Sequence, residues 1–334
     1  PPRQAMLQRN YALGPDAVLL TPAPFYHAGP LRLAMAVHRA GGTVIAFRKF
    51  DAEAVLAAIA RYRVTHAFFV PTMFQRLLDL PESVRQRYDT ASLHHAIHGA
   101  APCPAAVKRA MIAWWGPVID ELYGGTESIG QTFISSAEWL LHPGSVGRPA
   151  GHVEAKIVDA DGNRLPPGSS GRVMMRNPQR FEYHGAAADD AAHAYDEEGF
   201  ASLGDIGYLD EDGYLYLTDR AGNMIISGGV NIYPQEAELV LTGHPAVADV
   251  AVIGIPDRDL GEVAKALVVP AEGVPATGQT AARLLSDCAA ALSRYKCPRS
   301  LDFVAELPRN EMGKLVKRLI PQALREGPGP FTAG

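Results

Sequence analysis

The sequence predicts an α/β fold: a parallel-type βα sheet region, a small antiparallel β subdomain, and a compact α+β C-terminal domain. Three observations predict it. Apolar runs of strand length alternate with helically spaced ones over residues 51–123. Short alternating strands divided by Gly-, Pro- and Asp-rich turns then fill residues 142–218. Beyond residues 219–223 the pattern changes again, to mixed helices and strands. The length of 334 residues fits about two domains at roughly 150 residues each.

Each element follows in order. Asp51 can N-cap a helix whose Val55, Leu56, Ile59 and Tyr62 recur at helical spacing. Residues 64–70, VTHAFFV, read as a buried strand stopped by Pro71, with Thr72 capping a second helix through Leu80. A strand over 95–98, a helix from Ala105 to Trp115 closed by Gly116, and a strand over 118–123 follow. Such βα units build a mostly parallel sheet covered by helices, with ligands at the carboxyl ends of its strands. Strands over 153–158, 172–176 and 214–218, separated by DADGNRLPPGSSG and DEDGY, make the antiparallel subdomain. Then come a strand over 224–227, a helix over 235–241, strands near 250–255 and 266–269, and a helix over 281–293. The expected organisation is therefore 1–218 (a sheet region 1–141 and a β subdomain 142–218), a hinge 219–223, a C-terminal domain 224–325, and a mobile tail 326–334.

Composition narrows the function classes. With 47% hydrophobic and 20% charged residues, the chain has material for a core and is not largely disordered. Its apolar runs fall short of the ~18 residues of a membrane span. A net charge of −5 and a pI near 6.1 give no electrostatic footprint for nucleic acid. Cys103, Cys288 and Cys297 share no C-x-x-C spacing, which argues against a disulfide framework or structural zinc and fits a reducing, cytoplasmic setting. No basic-then-apolar leader is visible, and the chain opens on PPRQAM with no initiator Met and no opening element.

Five stretches can carry chemistry. ELYGGTES (121–128) lies where a strand leaves the sheet: glycines admit a ligand to the backbone, Thr126 offers a hydroxyl, and Glu127 a carboxylate suited to Mg²⁺. Alone it equally fits a solvated polar turn. In 202–220, Asp205 lies in a Gly-Asp turn before a strand and Arg220 ends the next one. A carboxylate suits a ribose diol and a guanidinium suits phosphate, although a turn former and a surface charge explain both as well. In IISGGVNIYPQEAE (225–238), Gly228 and Gly229 break a strand before a helix, as a tight connection or as a channel-lining loop. LPRNEMGKLVKRLI (307–320) puts Lys314 after a glycine in a loop, and PAPFYHAGP (22–30) puts His27 in a Gly/Pro-framed turn. His94, His95 and His98 do not make a metal site, since a strand sends 94 and 98 to one face and 95 to the other.

Together, in order and spacing, these motifs resemble the adenylate-forming superfamily, which includes acyl-CoA and aryl-CoA synthetases, over nearly the whole chain. The resemblance implies residue roles. Gly99, Ala100, Ala101 and Pro102 would form the adenine-binding turn, with Tyr123 stacked on the base and Gly124 and Gly125 beside it. Thr126 would contact the α-phosphate, Glu127 would hold Mg²⁺, and Asp205 with Arg220 would bind the ribose. Lys314 would bridge the carboxylate, ribose and phosphate oxygens from a mobile lid, turning about a hinge at Gly222. Phe25, His27, Val70, Met73 and Gly130 would line an acyl pocket, and Gly228, Gly229 and Val230 a coenzyme A tunnel.

The resemblance thus implies an AMP-forming ligase that activates an apolar carboxylic acid (fatty, aromatic or sterol-like) with ATP and transfers it to coenzyme A. A carrier-protein-loading adenylation enzyme or an inactive nucleotide-binding fragment are the alternatives, and a homodimer is left open. Three departures stand out. No TSGTTGxPKG-like phosphate loop precedes PFYHAG, so this chain should adenylate poorly. Gly222 replaces the usual Asp or Lys of the hinge, and Leu203 replaces a Thr before Gly204-Asp205.

Overall fold

The structure, a computed structural model, describes residues 7, 10–181, 195–228, 230–310 and 313–332, with only the backbone of residues 220 and 221. Its first part runs β1 (Val18–Thr21), α1 (Ala28–Arg39), β2 (Thr43–Ala46), α2 (Ala52–Tyr62), β3 (His66–Phe69), α3 (Pro71–Leu78), α4 (Glu82–Arg85) and β4 (His95–His98). It continues with α5 (Ala105–Trp115), β5 (Ile119–Gly124), β6 (Gln131–Ile134), α6 (Ser136–Leu141) and β7 (Arg148–Pro149). The seven strands form one sheet in the order β2-β1-β3-β4-β5-β6-β7. β1 to β5 pair in parallel, and β6 and β7 are antiparallel.

Local chemistry explains these elements. The Asp51 carboxylate accepts the Ala54 N–H at 2.8 Å and starts α2, which buries Val55, Leu56 and Ile59. Each such aliphatic side chain contributes about 1.5–3 kcal/mol when fully removed from water. Tyr62, grouped with them by spacing, is exposed instead. The helix after β3 starts at Pro71 with Val70 as its N-cap, not at Thr72, because proline in the first turn gives up only an N–H that has no helical partner. Gly116, at φ +84°, closes α5 as its sequence position predicts.

The second part is a four-stranded antiparallel sheet of β8 (Glu154–Val158), β9 (Gly171–Arg176), β10 (Asp205–Leu209) and β11 (Leu215–Arg220), in the order β11-β10-β9-β8. Its core gathers Ile157, Val173, Met175, Ala201 and Leu215 around Ile129, which arrives from the loop after β5. Asp205 is the first residue of β10, so the Gly-Asp turn hands directly into the sheet.

A short 3-10 turn, Ala221–Asn223, leads into the third part: β12 (Ile225–Ser227), β13 (Val230–Ile232), α7 (Pro234–Thr242), β14 (Val247–Asp257), β15 (Gly261–Pro270), α8 (Gly278–Ala291), β16 (Ser300–Phe303), α9 (Gln322–Arg325) and β17 (Phe331–Thr332). Its sheet runs β13-β12-β15-β16-β17, with β14 also paired to β15. Among the described residues, its two apolar clusters draw only on residues 225–331. Residues 326–334, expected as a mobile tail, here supply β17: Phe331 pairs with Leu301 and lies 5.6 Å from the Phe303 ring. No described helix is long and apolar enough to cross a membrane.

Candidate functional site

The carboxyl ends of β4 and β5 frame the site. A Cβ on Gly99 would sit 2.5 Å from the Leu122 carbonyl oxygen, so only glycine lets the turn after β4 press against β5. The turn continues through Ala100, whose left-handed φ of +68° presents it to solvent, to Ala101 and Pro102. On β5, the Tyr123 hydroxyl donates to Oδ2 of Asp205 at 2.6 Å. Asp205 is only 5% exposed and pairs across the ladder with Arg220. Folding thus brings together Tyr123, Asp205 and the backbone of Arg220 from two different sheets.

The loop from Gly124 to Ser128 closes over this contact. A Cβ at Gly125 would lie 2.6 Å from both Glu127 Oε2 and a Leu203 methyl, so Leu203 fills the space beside the glycine. Ser128 has φ +61°, and Arg32 fixes the loop by donating through Nη2 to the Thr126 carbonyl and the Ser128 hydroxyl, each at 3.0 Å. Asn177 adds a hydrogen bond from Nδ2 to the Ser128 carbonyl at 3.0 Å. Arg32 and Asn177 lie far from the loop in sequence, and no motif marked them. Thr126 is left exposed and Glu127 half-buried, with the Glu127 Oε2 beside Gly125.

Beneath the loop lies a buried charge pair. Lys108 of α5 donates to Glu121 Oε2 of β5 at 2.6 Å, its ammonium 4.9 Å from the centre of the Trp139 ring. Burial pushes the Glu121 carboxyl up from its ordinary value, while the Lys108 charge pulls the other way. His98, fully buried 3.5 Å from the same oxygen, is held well below the ordinary histidine range by burial and then by Lys108. His95 points to the opposite face and bonds Asp120 at 2.6 Å.

The remaining sequence candidates spread over several environments. Phe25 and His27 stand at the start of α1, and the His27 Nε2 is buried without a hydrogen-bond partner among the described residues. Burial lowers the pKa of this imidazole. Val70 and Met73 are buried in the core of the first sheet, whereas Gly130 backs onto Val153 and Met175 of the second. Gly228, at φ +56°, makes the turn between β12 and β13 and donates to the Leu260 carbonyl. Val230 follows it exposed, and Gly229 lies outside the described residues. Gly222 sits in the 3-10 turn with open space where a Cβ would go, so the fold there does not require glycine. Lys314 lies in a turn whose Gly313 touches the first part: a Cβ on Gly313 would meet Thr72 Oγ1 at 2.5 Å, beside Met73. The lysine loop is therefore seated on the first turn of α3.

Residues 3–183 match the model of the AMP-binding enzymes, and residues 236–314 match that of the AMP-binding enzyme C-terminal domain. The chain belongs to the AMP-binding enzyme family. It is 36% identical over 307 residues to a feruloyl-CoA synthase from Amycolatopsis, covering 91% of this chain and 61% of that protein. It is 34% identical to a fatty acid–acyl-carrier-protein ligase from Streptomyces coeruleorubidus, over 90% of this chain and 58% of that one. The solved amide bond synthetase from Marinactinospora thermotolerans superimposes with a TM-score of 0.84 at 33% identity, over 95% of this chain and 64% of that structure. This AMP-binding enzyme chain thus spans about three fifths of the length of the relatives it matches.

Away from the site, the AMP-binding sheet carries a second titratable feature. His66 of β3 donates from Nε2 to the Tyr11 carbonyl at 2.6 Å, which leaves Nδ1 to accept from the Thr65 hydroxyl at 2.7 Å. Burial, against the Tyr11 bond, lowers its pKa from 6.5 to about 4. The folded state then binds fewer protons than the unfolded state between those values, so stability falls as pH drops through this window and levels off below it. The loss should reach on the order of 3 kcal/mol at 1.36 kcal/mol per pKa unit. Urea unfolding of His66→Gln from pH 7.5 to 4 should show a flatter slope; a slope equal to that of the wild type would remove His66 as the cause.

Proposed function

We propose that this AMP-binding enzyme chain carries the sites of a ligase that forms an acyl-adenylate from an apolar carboxylic acid and ATP and then transfers the acyl group to coenzyme A, and that its own adenylation is slow because its sequence holds no phosphate loop. The supporting observation is the meeting of Tyr123, Asp205 and the Arg220 strand end beside the Thr126–Glu127 loop, where the first and second sheets come together. In the first step a carboxylate oxygen attacks the α-phosphorus and pyrophosphate leaves. In the second, the thiol sulfur attacks the acyl carbonyl and AMP leaves. Such chemistry at phosphorus needs positioning and charge neutralisation more than proton transfer.

The residues take these roles. Asp205 accepts from the ribose hydroxyls, Arg220 joins it, and the Thr126 hydroxyl meets the α-phosphate. Lys314 brings a positive charge to the transferring oxygens, and Gly228 to Val230 line the thiol's approach. Mg²⁺ is typical of such enzymes, and the donors fit: it takes one or two carboxylates together with substrate phosphates and water, and Glu127 is a half-buried carboxylate beside an exposed hydroxyl. When bound, the ion would neutralise phosphate charge. The apolar surroundings of Val70 and Met73 favour an apolar acid. Transfer to a carrier protein is the second reading, favoured by the similarity to the acyl-carrier-protein ligase; coenzyme A-dependent AMP release from a presynthesised acyl-adenylate separates the two.

Calorimetry with AMP tests the nucleotide site directly. AMP should bind the 334-residue chain more tightly than ATP does, since no phosphate loop is present in it. Asp205→Ala should weaken AMP by only about two- to tenfold, because the ribose takes an acceptor that the Tyr123 phenol already engages and the net gain of that exchange is about 0.5–1.5 kcal/mol. Absence of AMP binding to the wild-type chain would overturn the reading.

A further inference from the structure

The loop that carries Lys314 is braced from outside. Arg309 forks onto Asp249, with Nε to Oδ2 at 2.7 Å and Nη2 to Oδ1 at 2.5 Å, and its third nitrogen, Nη1, donates to the Gly313 carbonyl at 2.5 Å. Asp249 itself is fixed in β14, where the strand register shifts, and its Oδ1 also accepts the Val250 N–H at 2.8 Å. Within the loop, Asn310 accepts the Lys314 N–H on its side chain at 2.9 Å and donates its own N–H to the Lys314 carbonyl at 3.0 Å. Arg309 bridges to Leu315, so the two ends of the turn are tied as a narrow hairpin.

A bidentate guanidinium–carboxylate pair has a defined plane, unlike a single lysine contact. Here that plane is set by a strand of the third sheet and its far edge is spent on the carbonyl immediately before Lys314. The other side of the loop rests on the first part of the chain. Gly313, at φ +71°, has no room for a Cβ because Thr72 Oγ1 occupies that space. The loop is thus held from behind by Arg309 and from the front by Thr72, and Lys314 leaves it from a fixed point.

We propose that Arg309 and Asp249 are positioning residues that preset the Lys314 loop, so that docking on Thr72 places the lysine without reordering the loop. The proposal rests on the role assigned above to Lys314. It predicts that the pair affects only the half-reaction that uses the lysine. Preorganisation matters there because displacement of a catalytic group by about 1 Å is enough to cost rate heavily.

Arg309→Ala, Asp249→Asn and the double variant of the full chain test this. Hydrogen exchange of the 313–318 segment should quicken about tenfold in each single variant, as one lost bidentate contact implies. The double variant should be no faster than the singles, because both remove the same contact. Unchanged exchange, or additive effects, would overturn the clamp. In single turnovers, acyl-adenylate formation should fall about tenfold while thioester formation from presynthesised acyl-adenylate stays at the wild-type rate. Equal loss in both half-reactions would mean general damage and overturn the positioning role. Should the wild-type chain form no acyl-adenylate, the proposed function fails while the exchange result still decides whether the clamp exists.

Discussion

Lys314→Ala is expected to slow acyl-adenylate formation by about 100- to 1,000-fold, the usual cost of removing one preorganised charge-stabilising group. Thioester formation from presynthesised acyl-adenylate should remain within a few-fold of the wild type. The asymmetry follows from the chemistry: negative charge builds on the phosphate oxygens in the first step, whereas the second begins with the acyl–phosphate bond already made. It also follows from the structure, since Gly313 rests on Thr72 beside Met73 and so brings the lysine loop to the side of the first sheet. Rapid-quench measurement of both half-reactions checks it, and equal losses would assign Lys314 a structural role instead.

Lys108→Ala should destabilise the chain by about 3–5 kcal/mol, the range for breaking a buried ion pair on one side only. Glu121 would then be left in β5 with its counter-charge gone, directly before Leu122 and Tyr123. Its carboxyl, already raised by burial, would rise further and favour the protonated form. Replacing both partners with apolar residues, Lys108→Met with Glu121→Leu, should restore most of the loss, because no uncompensated charge remains. Denaturant unfolding of the single and double variants decides the matter; a single variant as stable as the wild type would show that the pair contributes nothing.

Much of this fold was legible in the sequence where one signal dominates. The helix from Ala105 to Trp115 has a proline before it and Gly116 after it, and both ends fall where those residues put them. The strand at His95–His98 was equally plain. Boundaries moved where tertiary pairing extends an element past its local pattern: β14 and β15 run eleven and ten residues because they form one long hairpin. Phe331 escaped notice because its partner, Leu301, is a product of folding and not of neighbourhood. Of the site, the residues in short motifs (Tyr123, Thr126, Glu127, Asp205) could be picked out, and the structure brings Tyr123 and Asp205 into contact. Their supports could not. Arg32, Asn177 and, through Asp249, Arg309 act across long sequence separations, Lys108 reaches an adjacent strand, and an isolated basic or amide residue reads as ordinary surface.

The hydrogen bond between Tyr123 and Asp205 has a thermodynamic corollary. A carboxylate awaiting a sugar would be costly to bury bare, and the phenol spares it that cost while the site is empty of nucleotide. If Asp205 receives a ribose, the incoming hydroxyl takes over an acceptor that is already engaged, so the tally of bonds at the carboxylate changes little. The sugar then supplies selectivity at modest net gain. Affinity has to be drawn from the two ends of the nucleotide, the base against the turn after β4 and the phosphate against the loop around Thr126, with the sugar acting as the gauge that sets their distance.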